Sequence, residues 1–200
     1  MAIRAVLFDM DGTIVDSGID WLTFRKEIGL PSDGRPILEQ LERSAPEARE
    51  RGRSALHRAE REGADRAQLL PGAAELVAML QTRGVRCALI TNNSRASAET
   101  VLSRHRLSFD LVLTREDGAA KPDPGIFIDA LRQLGVPSNE AAAIGDAHLD
   151  VIAAHRSGIE RIIAVGMPPW MAEHVSPEID YTHVADLHEA HALLVRMLGD

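Results

Sequence analysis

The sequence predicts an α/β fold, a doubly wound parallel sheet interrupted after its first strand by a small α-helical insertion. Three observations predict it. Short apolar runs recur along the chain, stretches of helical periodicity lie between them, and the interval between the first run and the second holds helical periodicity alone.

The first run, Ile3-Arg4-Ala5-Val6-Leu7-Phe8, ends directly in carboxylates and reads as a strand buried in a parallel sheet. From about residue 14 to residue 70 there is no convincing strand. The segment is polar and rich in Arg and Glu. Apolar residues fall at helical spacing (Trp21, Phe24, Ile28, then Ile37, Leu38, Leu41), and Pro31, Pro36, Pro46 and Gly63 punctuate it. We read residues 16–70 as a short helical cap and residues 1–15 and 71–200 as the core. The plainer alternative makes these helices the first crossover, but several helices are more than one crossover requires. Pro71-Gly72 marks the return to the main rhythm. Strands are expected at 85–90, 111–113, 141–144 and 161–165, and helices at 72–83, 94–105, 124–134 and 149–157. Gly84, Gly135 and Gly158 stand just past three of these helices, where chain-reversing glycines belong. Pro168-Pro169, Trp170 and a final helix near 187–198 close the same unit, and no internal repeat is present.

Composition removes several classes of function. At 45% hydrophobic and 26% charged the chain is globular, not disordered. Its net charge of −8 argues against binding nucleic acid through a strongly basic face. The single cysteine, Cys87, excludes an intramolecular disulfide, and its apolar surroundings predict a buried, inert thiol. No Cys/His spacing points to zinc. The N-terminal apolar stretch is too short for a membrane span and lacks the pattern of a signal peptide, so the expectation is a soluble cytoplasmic protein without membrane partners.

The residues that carry chemistry lie at strand ends. Asp9-Met10-Asp11-Gly12-Thr13 follows the first strand, and alternation puts Asp9 and Asp11 on one side. Two like charges so close require a cation, a proton or a fixed positive group between them. A solvated Asp-Gly turn is the plain alternative, but this five-residue pattern arises by chance only on the order of a few times in a thousand chains of this length. Asp146 and Asp150 follow the fourth strand and open a helix. Helix capping would explain them alone; two strand-end carboxylate pairs in one sheet favour a hard divalent cation, Mg²⁺ best. Thr91-Asn92 ends the second strand and begins a helix, where a hydroxyl and free backbone N–H groups suit a phosphate as well as a simple cap. Lys121, before Pro122, counts for little by itself.

In the order DxDGT, Thr-Asn, Lys-Pro, GDxxxD, these motifs resemble the haloacid dehalogenase-like hydrolase superfamily over residues 1–15 and 70–166, and the insertion resembles the helical cap of its phosphoglycolate phosphatase-like members. The resemblance implies a Rossmann-like core with strand order 3-2-1-4-5 and a site at the switch point between strands one and four. It implies Asp9 as nucleophile, forming an aspartyl-phosphate, and Asp11 as general acid and then base. Thr91, backbone N–H groups near Asn92, and Lys121 would hold the phosphoryl group, and Lys121 would offset charge beside Asp9. Mg²⁺ would be bound by Asp9, the Asp11 carbonyl and Asp146, with Asp150 in support. The substrate would be a small phosphomonoester, and the oligomeric state is left open.

Asp11 separates phosphatases from the halide-releasing members, which need no acid there. Lys26, the lysine of the insertion, is a weak match to a Schiff-base role. Ala147 departs from the Ser found in many relatives, and His148 is expected as an exposed helix-start residue. Arg25, Lys26, Arg35, Arg43, Arg51, Arg53 and Arg58 are candidates to meet an anionic substrate, and a short cap would tolerate larger esters. Alternatives are a phosphomutase of the β-phosphoglucomutase type, a non-catalytic binding or regulatory module, and a structural partner using the insertion as its surface.

Overall fold

The computed structural model describes residues 2–199. Its central strand, β1 (Ala5–Phe8), pairs in parallel with β4 (Arg86–Ile90) on one side and β6 (Ala141–Gly145) on the other. Beyond β4 lies β5 (Leu111–Leu113); beyond β6 lie β7 (Arg161–Val165) and β8 (Thr182–Val184). Taking this sheet's strands in chain order, the arrangement is the expected 3-2-1-4-5 with a sixth strand added at the edge. That sixth strand, β8, was not legible because only one of its three residues, Val184, is apolar.

Alternation along β1 divides the core. Val6 and Phe8 face a layer that includes Leu76 and Leu80 of α4 (Ala73–Thr82), Val101 of α5 (Arg95–His105) and Leu194 of α9 (Leu187–Leu198). Ala5 and Leu7 face the other layer, with Ile126 and Leu131 of α6 (Gly125–Leu134) and Val151 and Ala154 of α7 (His148–Arg156). All four β1 side chains are fully buried, and each large one contributes roughly 1.5–3 kcal/mol of transfer free energy. Gly84, Gly135 and Gly158 take positive φ as expected.

Residues between the first and second strands of the sheet form α1 (Trp21–Glu27), α2 (Ile37–Glu42) and α3 (Pro46–Arg66). Asp20 caps α1 by accepting from the Leu22 and Thr23 N–H groups. Phe24, Leu41 and Leu56 give these helices a small core of their own. One expectation needs correcting here. Two short strands, β2 (Val15–Asp16) and β3 (Gln68–Leu69), pair antiparallel where the chain leaves the sheet and where it returns. Two residues are too few for periodicity to reveal, and the pairing is set by bringing distant segments together.

No helix among the described residues is long and apolar enough to cross a membrane. Cys87 lies on β4 and is fully buried; burial, then the nearby Asp110 carboxylate, pushes its thiol up to about 12. The thiol is therefore protonated and shielded at neutral pH. In the native protein at pH 8 we expect a thiol-labelling reagent to leave Cys87 unmodified for hours, with complete reaction in denaturant; rapid native labelling would contradict its place in the sheet centre.

Candidate active site

The site begins with one alternation. Asp9 extends β1 by donating its N–H to the Ile144 carbonyl at 2.9 Å, and Met10 turns its side chain into the core at 1% exposure. Asp9 and Asp11 therefore face the opposite way, over the carboxyl end of the sheet. The Met10 carbonyl then accepts from the N–H groups of Ile14 and Val15 at 2.8 and 3.0 Å, closing a tight loop that holds Asp11 in place. Asp146 directly follows β6, the neighbour of β1, so the two carboxylates meet where the strand order reverses.

Lys121 enters from the loop before α6. Its ammonium is 3% exposed and donates to Asp9 Oδ1 at 2.5 Å, Asp150 Oδ1 at 2.5 Å and the Ile90 carbonyl at 3.0 Å. Three N–H donors meet three acceptors, so the buried charge is fully satisfied. Burial alone would depress its pKa; the Asp150 and Asp9 carboxylates outweigh that and hold it above its ordinary value. The lysine backbone is fixed as well. Asn92 accepts from the Lys121 N–H at 2.8 Å and donates to the Lys121 carbonyl at 3.0 Å, so its side chain clamps the lysine.

Both Asp150 oxygens are engaged, Oδ1 by the Lys121 ammonium and Oδ2 by the Ala147 N–H at 3.1 Å. It reaches the strand end only because residue 145 is glycine: a Cβ there would lie 2.4 Å from Asp150 Cβ. Gly12 is required for a like reason. It has φ +79°, and a Cβ on it would fall 2.1 Å from Asp146 Oδ2. Thr91 is 2% exposed, and its Oγ1 accepts from the Asn93 N–H at 3.0 Å.

Asn93 was not singled out from the sequence. Its Nδ2 donates to Asp11 Oδ2 at 2.8 Å, while Asp11 Oδ1 is buried without a hydrogen bond. The available signal was a run of polar residues at a strand end leading into Ser94, which caps α5. His148 requires a correction. It is 6% exposed, not solvated, because the loop before α2 folds over it and the Gly34 carbonyl meets its Nε2 at 2.7 Å.

Oxygens of Asp9, Asp146 and Asp150 lie within 4.8 Å of one another. Three carboxylates less one ammonium leave two negative charges in a poorly solvated space. Burial, with Asp150 and Asp11 adding and Lys121 opposing, raises Asp9 to about 7. Burial, then Asp9 and Asp150, holds Asp146 well above the usual carboxylate range. Burial also raises Asp11, against hydrogen bonds from Ser17 and Asn93. A hard divalent cation fits this donor set: Asp9 keeps one oxygen outside the lysine pair, and Asp146 takes no hydrogen bond from another described residue.

A cavity of about 220 Å³ opens above these groups, beneath α1–α3. Of the basic residues singled out in the insertion, only Arg25 lines it. Its guanidinium donates to the Pro31 and Arg35 carbonyls at 3.1 and 2.5 Å. Lys26 is exposed and does not line it, so the geometry offers nothing to a Schiff-base role.

The arrangement is matched by a family model, haloacid dehalogenase-like hydrolase, over residues 3–158. The chain belongs to this family. A haloacid dehalogenase-like hydrolase domain-containing protein of Arabidopsis thaliana is 29% identical over 161 residues, covering 76% of this chain and 66% of that one. A phosphoglycolate phosphatase of Pseudomonas savastanoi pv. phaseolicola is 30% identical over 182 residues, covering 78% of this chain and 67% of that protein. The chain thus spans about two thirds of the length of these relatives. Among solved structures, a hydrolase from Pseudomonas syringae shares the fold at TM-score 0.74 and 24% identity, covering 93% and 96% of the two chains.

The electrostatics of this haloacid dehalogenase-like site have a measurable sign. A carboxyl whose folded pKa lies above its unfolded value binds its proton more tightly when folded, so stability falls as pH rises from 3.8 towards about 7. In the presence of a chelator we expect Asp9→Asn to flatten the decline of urea stability across that window; an unaltered pH slope would show that burial does not hold the Asp9 carboxyl above its unfolded value.

Proposed function

We propose that the protein is a Mg²⁺-dependent phosphatase that hydrolyses a small phosphomonoester through an aspartyl-phosphate on Asp9. The observation that carries this reading is the grip of Lys121 on Asp9 Oδ1, beside Asp11 held by Asn93. Lys121 holds the Asp9 carboxylate and fixes its direction, so that one of its two oxygens attacks phosphorus and the other is left for the cation. The Asp9 O–P bond forms as the ester P–O bond breaks, and Asp11 gives its proton to the departing alcohol oxygen. Its raised pKa suits it to hold that proton beforehand. Asp11 then takes a proton from water as the water oxygen attacks phosphorus, releasing phosphate and restoring Asp9.

The Thr91 hydroxyl and the backbone N–H groups near Asn92 hold phosphoryl oxygens, and Lys121 offsets their charge. Mg²⁺ held by Asp9, Asp146 and the Asp11 carbonyl would supply the charge neutralisation that lets a phosphate dianion approach. Asp150 acts behind it by holding Lys121. Residues 16–70 act as the cap over the site, with residues 1–15 and 71–200 as the catalytic core.

Phosphate release across a panel of phosphomonoesters, with and without Mg²⁺, tests the proposal. We expect Asp9→Asn to abolish turnover. Asp11→Asn should lower kcat/KM by roughly 10²–10⁴ for alkyl esters, whose leaving oxygen needs protonation, and by much less for acetyl phosphate, because hydrolysis of the shared intermediate does not enter kcat/KM. Turnover that survives Asp9→Asn would overturn the proposal, as would phosphate recovered on a second hydroxyl of a sugar phosphate instead of in solution.

A further inference from the structure

One cation in the cavity above Asp9 has no anion. Arg25 of α1 is 9% exposed and is the basic residue of the insertion that lines this space. Of the five N–H donors of a guanidinium the protein uses two: Nη1 donates to the Pro31 carbonyl and Nη2 to the Arg35 carbonyl. Both acceptors are neutral, and holding them requires no positive charge. Asp33 acts on Arg25 from a distance, but its oxygens are spent on Arg35 and Gln40. No carboxylate among the described residues forms an ion pair with Arg25, and its Nε–H meets no protein acceptor without being sealed from solvent.

The loop that Arg25 holds rests on one edge of the charged cluster. Pro31 and Arg35 lie on either side of Gly34 in the chain, and the Gly34 carbonyl meets His148 Nε2 at 2.7 Å. His148 opens α7 between Asp146 and Asp150, so this loop orients the guanidinium beside the cluster before any ligand arrives. The large side chains that share the lining are apolar: Trp21, Leu22, Leu38 and Leu56 from the insertion, Trp170 and Met171 of α8 (Pro169–Ala172) from the core. Leu22 and Trp170 stay 39% and 37% exposed, a hydrophobic surface for which folding has no use. Glu60 of α3 also lines the cavity, but its Oε1 pairs with Arg115. Glu60 Oε2 and His148 Nδ1 are buried and closed to a ligand.

We propose that Arg25 is a specificity-determining residue that binds a carboxylate on the alcohol part of the substrate, and that this alcohol is a hydroxy acid bearing an apolar side group. This deepens the phosphatase reading and rests on it. A buried cation is unfavourable until an anion meets it, and the substrate supplies the one the protein lacks. One guanidinium carries one charge and presents its N–H groups as a planar fork, which a carboxylate matches in charge and shape. A second phosphate dianion would leave buried charge unmet. The side group buries its surface against Trp21, Leu38 and Trp170, which offer a charged or strongly polar group nothing.

Three phosphonates titrated calorimetrically into the full chain with Mg²⁺ test this without turnover. 3-Phosphonopropionate and 3-phosphonopropanamide share size and phosphonate and differ in a carboxylate against an amide. The carboxylate is expected to bind roughly 10- to 100-fold more tightly, the range of charged hydrogen bonds. Arg25→Gln should bring that ratio close to one. A role in holding the loop alone would weaken both ligands together and leave the ratio standing. Should Arg25→Gln not fold, Arg25→Lys replaces it; the charge stays but the fork is lost, and the ratio should narrow to a few-fold. 2-Benzyl-3-phosphonopropionate should bind roughly 10-fold more tightly than 3-phosphonopropionate, and Trp170→Ala, at a partly exposed position, should reduce that gain while sparing the carboxylate ratio. The proposal is overturned by equal binding of acid and amide, by a ratio that survives Arg25→Gln or Arg25→Lys unchanged, or by no gain from the benzyl group. Phosphate release from acetyl phosphate by the unaltered protein, which asks nothing of Arg25, reports on the phosphatase reading separately.

Discussion

The ammonium of Lys121, buried and shared between two carboxylates, is the interaction on which the rest of the site depends. It reaches Asp9 after β1, the Ile90 carbonyl at the end of β4 and Asp150 on α7, so one group ties together three parts of the sheet's carboxyl edge. A charge removed from water is unfavourable by several kcal/mol unless every donor is met, and here all three are. The geometry is consequently narrow. Asp150 must approach the end of β6 closely enough to exclude a side chain at Gly145, and the Lys121 backbone must be held at both its N–H and its carbonyl by Asn92.

That arrangement leaves more negative than positive charge. Lys121 neutralises one carboxylate of three, and burial then lifts the Asp9 and Asp146 pKa values because the charged forms are poorly solvated and near one another. A second, divalent charge is the natural complement to so much buried negative charge. The insertion is joined to the same network. Glu60 of α3 pairs with Arg115, and Arg115 Nη1 also donates to the Asn92 carbonyl at 3.3 Å. From Glu60 to Asp9, the path runs through the residue that clamps Lys121.

Much of this was legible from particular residues. The spacing of Asp9 and Asp11 on either side of an apolar residue already placed both carboxylates on one side, and Met10, buried in the core, is why. The first five strands were visible as apolar runs because a parallel sheet covered on both faces needs them. The sixth strand and the β2–β3 pair were not: Thr182-His183-Val184 holds a single apolar residue, and two residues a strand carry no period. Asn92 was found for its backbone, but its side-chain role depends on the loop of Lys121, 29 residues away. Asn93 and the burial of His148 were hidden for the same reason: each is decided by a partner distant in sequence, Asp11 in one case and Gly34 in the other. Charged residues of the insertion were the least informative, because their number says nothing about which one faces inward.

A crystal structure of the protein grown with Mg²⁺ tests the central claim most directly. We expect one ion bonded at about 2.0–2.1 Å to an oxygen of Asp9 and of Asp146, with the Lys121 ammonium still seated between Asp9 and Asp150. An ion ligated by Asp150, with Lys121 displaced into the cavity, would contradict it.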